Sequence, residues 1–204
     1  MSLRDCAVVQ TGVAKGRKLS DKDMLTLPYL RVANVQSGYL DLSEIKANSI
    51  RATEQTRYAL RSGDVVLTEG GDFDKLGRGF IWKGKIEDCV HQNHIFAVRV
   101  DRTRLLPEFF AQQSQAPYGK AYFLSVAHKT TNLACINTTK LKGFPVLIPT
   151  IDEQREIITI LDDIDSKLGG HQRKRAALYD LYKTLLHQLM KAQIRVRDIE
   201  LFAK

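Results

Sequence analysis

Apolar residues recur in alternating steps of four and three over residues 157–189. The positions are Ile157, Leu161, Ile164, Leu168, His171, Arg175, Leu178, Tyr182, Leu185 and Leu189, with His171 and Arg175 as polar steps. This is an a/d heptad pattern sustained for more than four heptads, and it predicts a long helix with a narrow seam. A helix packed on its own domain is the other reading of such a stripe. A seam this narrow and regular favours a helical partner. Asp152 is the expected N-cap, and Glu153 and Glu156 put negative charge in the first turn, where the helix dipole favours it. The stripe is centred near residue 173, so an antiparallel two-fold pair would set His171 of one chain against Arg175 of the other. Gly169-Gly170 interrupts the pattern at about 1 kcal/mol per glycine relative to alanine, which predicts a kink or a close approach by another chain. At 1.5 Å per residue, a helix of ~40 residues runs about 60 Å.

Before residue 150 the pattern is different. "LPYLRVANVQ" and "GDVVLTEG" are short β-rich runs bounded by Gly, Pro or Asp, and "HIFAVRV" alternates. "LLPEFFAQQSQ" and "GKAYFLSVA" predict short helices, the first with Pro107 near its start. "FPVLIP" predicts a short apolar strand between Pro145 and Pro149. The expected class is α+β: a mixed domain over 1–150, a long helix over 151–193 forming an antiparallel coiled coil in a dimer, and a tail over 194–204.

Composition adds a charge asymmetry. The chain carries +8 overall; residues 152–204 hold 10 basic and 9 acidic side chains, leaving 21 basic against 14 acidic in the first 151. A basic N-terminal part suggests a polyanionic partner, and a basic solvated surface is the plainer alternative. No apolar run reaches the ~18 residues of a membrane span, and the N-terminus does not read as a signal peptide, so a cytoplasmic protein without a membrane partner is expected. Three well-separated cysteines, Cys6, Cys89 and Cys135, argue against a disulfide framework.

Candidate chemistry is sparse. "GFIWKGK", residues 79–85, matches the GxxxxGK part of a phosphate loop. Ile86 replaces the required hydroxyl, and Phe80, Ile81 and Trp82 fill the place where amides would wrap phosphate; it reads as a strand and turn. Cys89, His91 and His94 lie close in sequence, but His128 and Cys135 are unsuitably spaced to complete a zinc site. Gln92, Asn93 and His94 read instead as polar groups at a strand start. No nucleophile elbow, HExxH, methyltransferase glycine loop or Asn-Pro-Pro-Tyr motif occurs, so no catalytic residue, metal or resident cofactor is expected. The glycine-rich stretch "TEGGDFDKLGRG", residues 68–79, remains: a phosphate cradle, an active-site loop or a nucleic-acid reader.

"LPYLRVANVQSGYLDL", "GDVVLTEGGDFDKLGRGFIW", "HQNHIFAVR", "TTNLACINTTKLKGFPVLIPTIDEQREI" and "LLHQLMKAQIRVRDIEL" together resemble the specificity subunit of type I restriction-modification systems, in the right order over nearly the whole chain. The resemblance implies a target recognition domain, which reads a half-site of a bipartite double-stranded DNA target, followed by a helical spacer. The usual subunit has two of each; one of each is seen here, which implies a half-subunit, either a natural short form or a piece of a longer chain. Its unpartnered apolar seam leads to the expectation of a homodimer. It also implies partners: a modification subunit, the adenine methyltransferase that uses S-adenosylmethionine, and a restriction subunit in the larger complex. A regulatory half-subunit competing for the methyltransferase, or a stand-alone DNA-acting enzyme, are the alternatives.

Under that resemblance, Lys15, Arg17, Lys18, Arg31, Lys75 and Lys129 are the candidates for phosphate contact. Asp72, Asp74, Arg78, Thr130, Thr131 and Asn132 are the candidates for base edges. Arginine pairs with guanine, asparagine with adenine, and a carboxylate accepts from cytosine. The glycine loop is shared by relatives that read different sequences, so it leans towards a structural or partner-facing role. Variable reading is expected from residues 11–23 and 101–127.

Overall fold

The computed structural model describes residues 1–16 and 23–196. Arg17 and Lys18 lie outside the described residues, as does the end of the expected tail. The chain divides into two compact units, Met1–Ile157 and Ile158–Lys204.

Among the described residues of the first unit are three small sheets. The largest has the order β1 (Ala7–Thr11), β8 (Ile95–Val100), β4 (Val65–Thr68), β6 (Gly79–Ile81), antiparallel throughout. The second places β2 (Met24–Leu30) between β3 (Lys46–Arg51), antiparallel, and β7 (Val90–His91), parallel. The third is β5 (Gly70–Gly71), β10 (Ala134–Cys135) and β9 (His128–Lys129). The helices of this unit are α1 (Gln55–Tyr58), α2 (Pro107–Gln115), α3 (Pro117–Val126) and α4 (Thr138–Lys142).

"HIFAVRV" forms β8, but five of its six residues are buried where alternation predicts half. Burial falls on both faces of this central strand, whose edges are taken by β1 and β4, as in a strand covered from either side. Arg99, the exception, reaches a nearly fully buried Asp64 through two hydrogen bonds of 2.8 and 2.7 Å. One core cluster gathers Leu30, Val35, Leu60, Val66, Trp82, Cys89, Ile95 and Ala97; a second gathers Val13, Tyr29, Ile50 and Val90.

Both predicted short helices are present, each with proline in its first turn. "FPVLIP" is not a regular strand. Phe144 is buried amid Phe110, Tyr118, Tyr122 and Phe123, with ring centroids 5.2–6.0 Å away. Pro145 makes one isolated bridge to Ser2, and Val146 N–H donates to the Met1 carbonyl at 2.8 Å. Two prolines without N–H groups limit how far a ladder can extend.

The long helix is α5, Ile151–Met190, 40 residues. It ends before the expected residue 193, and its cap is Thr150 rather than Asp152. The Glu153 carboxylate accepts from the Thr150 hydroxyl and amide, both at 2.8 Å, while Glu153 N–H donates back to the Thr150 hydroxyl at 3.3 Å. This is the T-x-x-E capping box. Those bonds hold the Glu153 carboxyl below its ordinary pKa. The helix is unbroken through Gly169-Gly170.

Seam residues are exposed in the single chain: Leu168, Leu178 and Tyr182 are 52, 56 and 59% accessible. The opposite holds for Gln154, which is fully buried. Its side-chain oxygen accepts from Leu106 N–H at 2.8 Å, and its amide donates to the Arg104 and Pro149 carbonyls at 2.9 and 3.0 Å. One side chain thus ties the first turn of α5 to the segment entering α2.

Candidate nucleic-acid interface

The glycine-rich stretch leaves β4 at Thr68 and returns as β6 at Gly79. Thr68 closes its neck: the amide donates to the Arg78 carbonyl at 2.9 Å and the hydroxyl to the Lys75 carbonyl at 3.0 Å. Leu76 is buried beneath. Gly77 has φ +63° and lies under the Phe123 ring, where a Cβ would come within 2.4 Å of ring carbon. At Gly79 a Cβ would meet the Val66 carbonyl oxygen at 1.8 Å. Gln115 donates to the Gly77 carbonyl at 3.0 Å. These glycines are explained by close packing and backbone conformation, without invoking a ligand.

Gly70 and Gly71 form β5 and pair with Cys135 and Ala134 of β10, which pairs in turn with β9. A Cβ on Gly70 would sit 2.8 Å from the Ala134 carbonyl oxygen, so the approach needs glycine. The third sheet therefore joins the glycine loop to the "HKTTN" hairpin, two segments singled out separately in the sequence. The hairpin turn is held by Thr130, whose amide donates to the Leu133 carbonyl at 2.8 Å and whose hydroxyl donates to it at 3.2 Å.

Sequence-nominated residues divide in two. Arg31 is held by Glu44, 3.3 Å from its carbonyl and 3.5 Å from its carboxylate. Arg78 reaches the Val32 carbonyl at 3.5 Å. Asp72 and Lys75 form an ion pair at the loop tip. Lys75 holds the Asp72 carboxyl below its ordinary pKa, and Asp72 raises the Lys75 ammonium. Thr130 is occupied by its own turn. Lys15, Asp74, Lys129, Thr131 and Asn132 are exposed, and their side chains make no hydrogen bond or ion pair among the described residues.

A cavity of about 480 Å³ lies beside this sheet, lined by Val32, Gly70, Gly71, Thr130, Leu133 and Ala134, together with Glu69, His94, His128 and Cys135. Its strongest polar contact is His94 Nδ1 to the Glu69 carboxylate at 2.6 Å. Glu69 N–H also donates to the His94 carbonyl at 2.9 Å, and the Glu69 carbonyl accepts from Ile136 N–H at 2.9 Å. Sequence inspection did not single out Glu69; its pairing to a histidine 25 residues away leaves no local signal. Among the described residues no group of three His, Cys, Asp or Glu side chains is placed to hold a metal. Cys89 and His91 are fully buried: burial pushes the thiol up to about 12 and the imidazole down to about 4. His91 Nδ1 donates to the Tyr58 carbonyl at 3.1 Å, so both residues belong to the core. No helix among the described residues is long and apolar enough to cross a membrane. What the surface offers is hydrogen-bonding side chains of both polarities and the unpaired Lys129 on a small, well-braced sheet.

Residues 2–179 match the family described as the type I restriction modification DNA specificity domain. A Methanocaldococcus jannaschii protein assigned as the type I restriction enzyme MjaX specificity subunit is 23% identical over 170 residues, covering 83% of this chain and 40% of that one. The type I restriction enzyme EcoKI specificity subunit of Escherichia coli strain K12 is 25% identical over 142 residues, 67% of this chain and 30% of that one. The crystal structure of the HsdS subunit from Thermoanaerobacter tengcongensis superposes with a TM-score of 0.66 at 15% identity, covering 91% of this chain and 46% of that one. At that identity the likeness speaks to the fold alone. The chain spans well under half the length of each of the two sequence relatives and just under half of the solved structure.

Proposed function

The chain belongs to the type I restriction-modification DNA specificity domain family, and from that premise we propose that it reads one half-site of a bipartite DNA target. It does so as a non-catalytic component of a methyltransferase complex. The observation that carries the reading is the joining of the glycine loop and the 128–135 hairpin in one sheet. Their tips leave Asp74, Lys129, Thr131 and Asn132 unengaged on one braced scaffold. Asn132 and Thr131 carry donors and acceptors for base edges, and Lys129 supplies a sequence-independent phosphate contact. The modification subunit, with its S-adenosylmethionine, performs the chemistry, and a restriction subunit joins the larger assembly.

The exposed seam of α5 packs against a second copy in antiparallel fashion, pairing Ile157 with Leu189 and Leu168 with Leu178 about residue 173. A free apolar stripe of this length in water is costly, and a helical partner relieves it. Sedimentation at micromolar concentration then yields a dimer; a stable monomer contradicts the pairing. Methylation assays with the partner subunit test the reader. Asn132→Ala costs about 1–3 kcal/mol of discrimination at one base position, while Lys129→Ala weakens all sequences alike and lowers the salt slope by about 1. An unchanged methylation pattern in Asn132→Ala, or an unchanged salt slope in Lys129→Ala, counts against this surface.

A further inference from the structure

Outside the third sheet, residues 34–44 form a loop held by a dense set of hydrogen bonds. Asn34, 4% exposed, donates from its side chain to the Asp41 and Glu44 carbonyls at 2.9 Å each, and accepts Arg31 N–H at 2.9 Å. Asp41 N–H returns to the Asn34 carbonyl at 2.8 Å. Val35 bridges Leu40, Gln36 N–H reaches the Tyr39 carbonyl at 3.0 Å, and Gly38, at φ +80°, donates to the Gly79 carbonyl at 3.3 Å. The residue displayed by this bracing is Tyr39, 58% exposed, with its hydroxyl unpartnered among the described residues.

Beside it is a cavity of about 170 Å³ bounded by Tyr39, Leu40, Leu42, Phe80 and Ile81, with Lys83 and Lys85 at its edge. Both lysines are exposed, and neither has an ion-pair partner among the described residues. A tyrosine side chain beside a small recess walled by Leu40, Leu42, Phe80 and Ile81 suits one flat ring. Two unneutralised ammonium groups suit anions on either side of it. A nucleotide within a strand supplies both; a phosphate alone has no use for the apolar walls. Stacking on aromatics combined with cationic tracking of the backbone is how single strands are held.

We propose that Tyr39, Lys83 and Lys85 bind one unstacked nucleotide of the DNA strand, its base against Tyr39 and the flanking phosphates on the lysines. The proposal rests on the DNA-reading function above. It gives this loop a role in holding locally opened DNA, which lowers the cost of extruding a base for chemistry by a partner.

The test uses the full chain and two probes labelled with 2-aminopurine: a single-stranded oligonucleotide, and a duplex carrying one unpaired 2-aminopurine. A fully paired duplex serves as the reference. Tyr39→Ala is expected to weaken binding of both probes by about tenfold and to abolish the quenching of 2-aminopurine, with the paired duplex little changed. Tyr39→Phe retains binding. The double variant Lys83→Gln/Lys85→Gln flattens the dependence of log K on log salt by about 1.4 for the single strand, at about 0.7 per phosphate lost. Unaltered quenching in Tyr39→Ala, or an unaltered salt slope in the lysine variant, overturns the proposal. So does a defect confined to capture of the methyltransferase subunit, which would make the recess a protein contact. If the unsubstituted chain binds none of the three DNAs at low salt, the DNA-reading function fails and takes the proposal with it. If it binds them and the variants behave alike, only the proposal fails.

Discussion

At the scale of single residues, much of the fold depends on a few buried polar groups. Gln154 satisfies a backbone donor and two backbone carbonyls at the start of α5. Gln154→Leu removes those partners while leaving the groups buried, and is expected to cost about 2–4 kcal/mol. Urea denaturation compared with Arg155→Ala, an exposed neighbour, checks this. His91 gives a pH signature. Its imidazole is held down to about 4 by burial, below the ordinary 6.5, so the folded chain keeps it neutral where the unfolded chain protonates it. That contribution is complete above about pH 6.5, is lost as the pH falls towards 4, and is constant below; its size is on the order of 3 kcal/mol. His91→Gln should lose this part of the pH dependence of the urea midpoint. An equally steep dependence in the variant would assign the effect to other groups. "DEQREI" announced a helix start through its charges, but nothing local marks glutamine as a clip. Likewise the spacing around Cys89 and His91 argued against a metal site without saying what the two residues do; their burial places them in the core.

At the scale of elements, the clearest case is α5. Heptad spacing predicted its extent to within a few residues, because 3.6-residue periodicity is a local property of the chain. The glycine pair is different. A Cβ on Gly169 would meet only the flexible Arg173 guanidinium at 3.5 Å, and one on Gly170 meets nothing within 4 Å. Within the single chain Gly169→Ala/Gly170→Ala should therefore stabilise the helix by about 1 kcal/mol per site, and sedimentation separates this from a close approach by a partner helix. Thermal melting and sedimentation of the double variant read both. A weakened dimer would place the glycines in the interface. The centre of the pairing is also cationic, with Lys167, Arg173, Lys174 and Arg175 close together in sequence. Arg175→Leu is expected to tighten the dimer while relaxing its register, a trade known for polar seam positions. The glycine loop shows the converse of the helix: its composition suggested a ligand cradle, yet Gly77 and Gly79 answer to Phe123 and the Val66 carbonyl, contacts that no local pattern reveals.

At the scale of the whole molecule, the proposed two-fold pairing would carry a consequence for DNA. Two identical readers related by a dyad favour an interrupted palindrome, because half-site symmetry follows protein symmetry. Genome-wide mapping of methylated adenines with and without this gene should return such a site. A non-palindromic bipartite site would point instead to pairing with a different recognition domain. By itself the sequence determined the class of the fold, the long helix and its seam, the basic character of the first part and, through shared motifs, the family. All of these rest on local periodicity, composition or contiguous words. Tertiary structure alone decided which nominated side chains are free: Arg31, Arg78, Lys75 and Thr130 are engaged, while Lys129, Thr131 and Asn132 stand open. It also decided that residues 70–71 and 134–135 share a sheet, and that Tyr39 is displayed beside Lys83 and Lys85. These depend on contacts between residues tens of positions apart, which form only when the core between them closes.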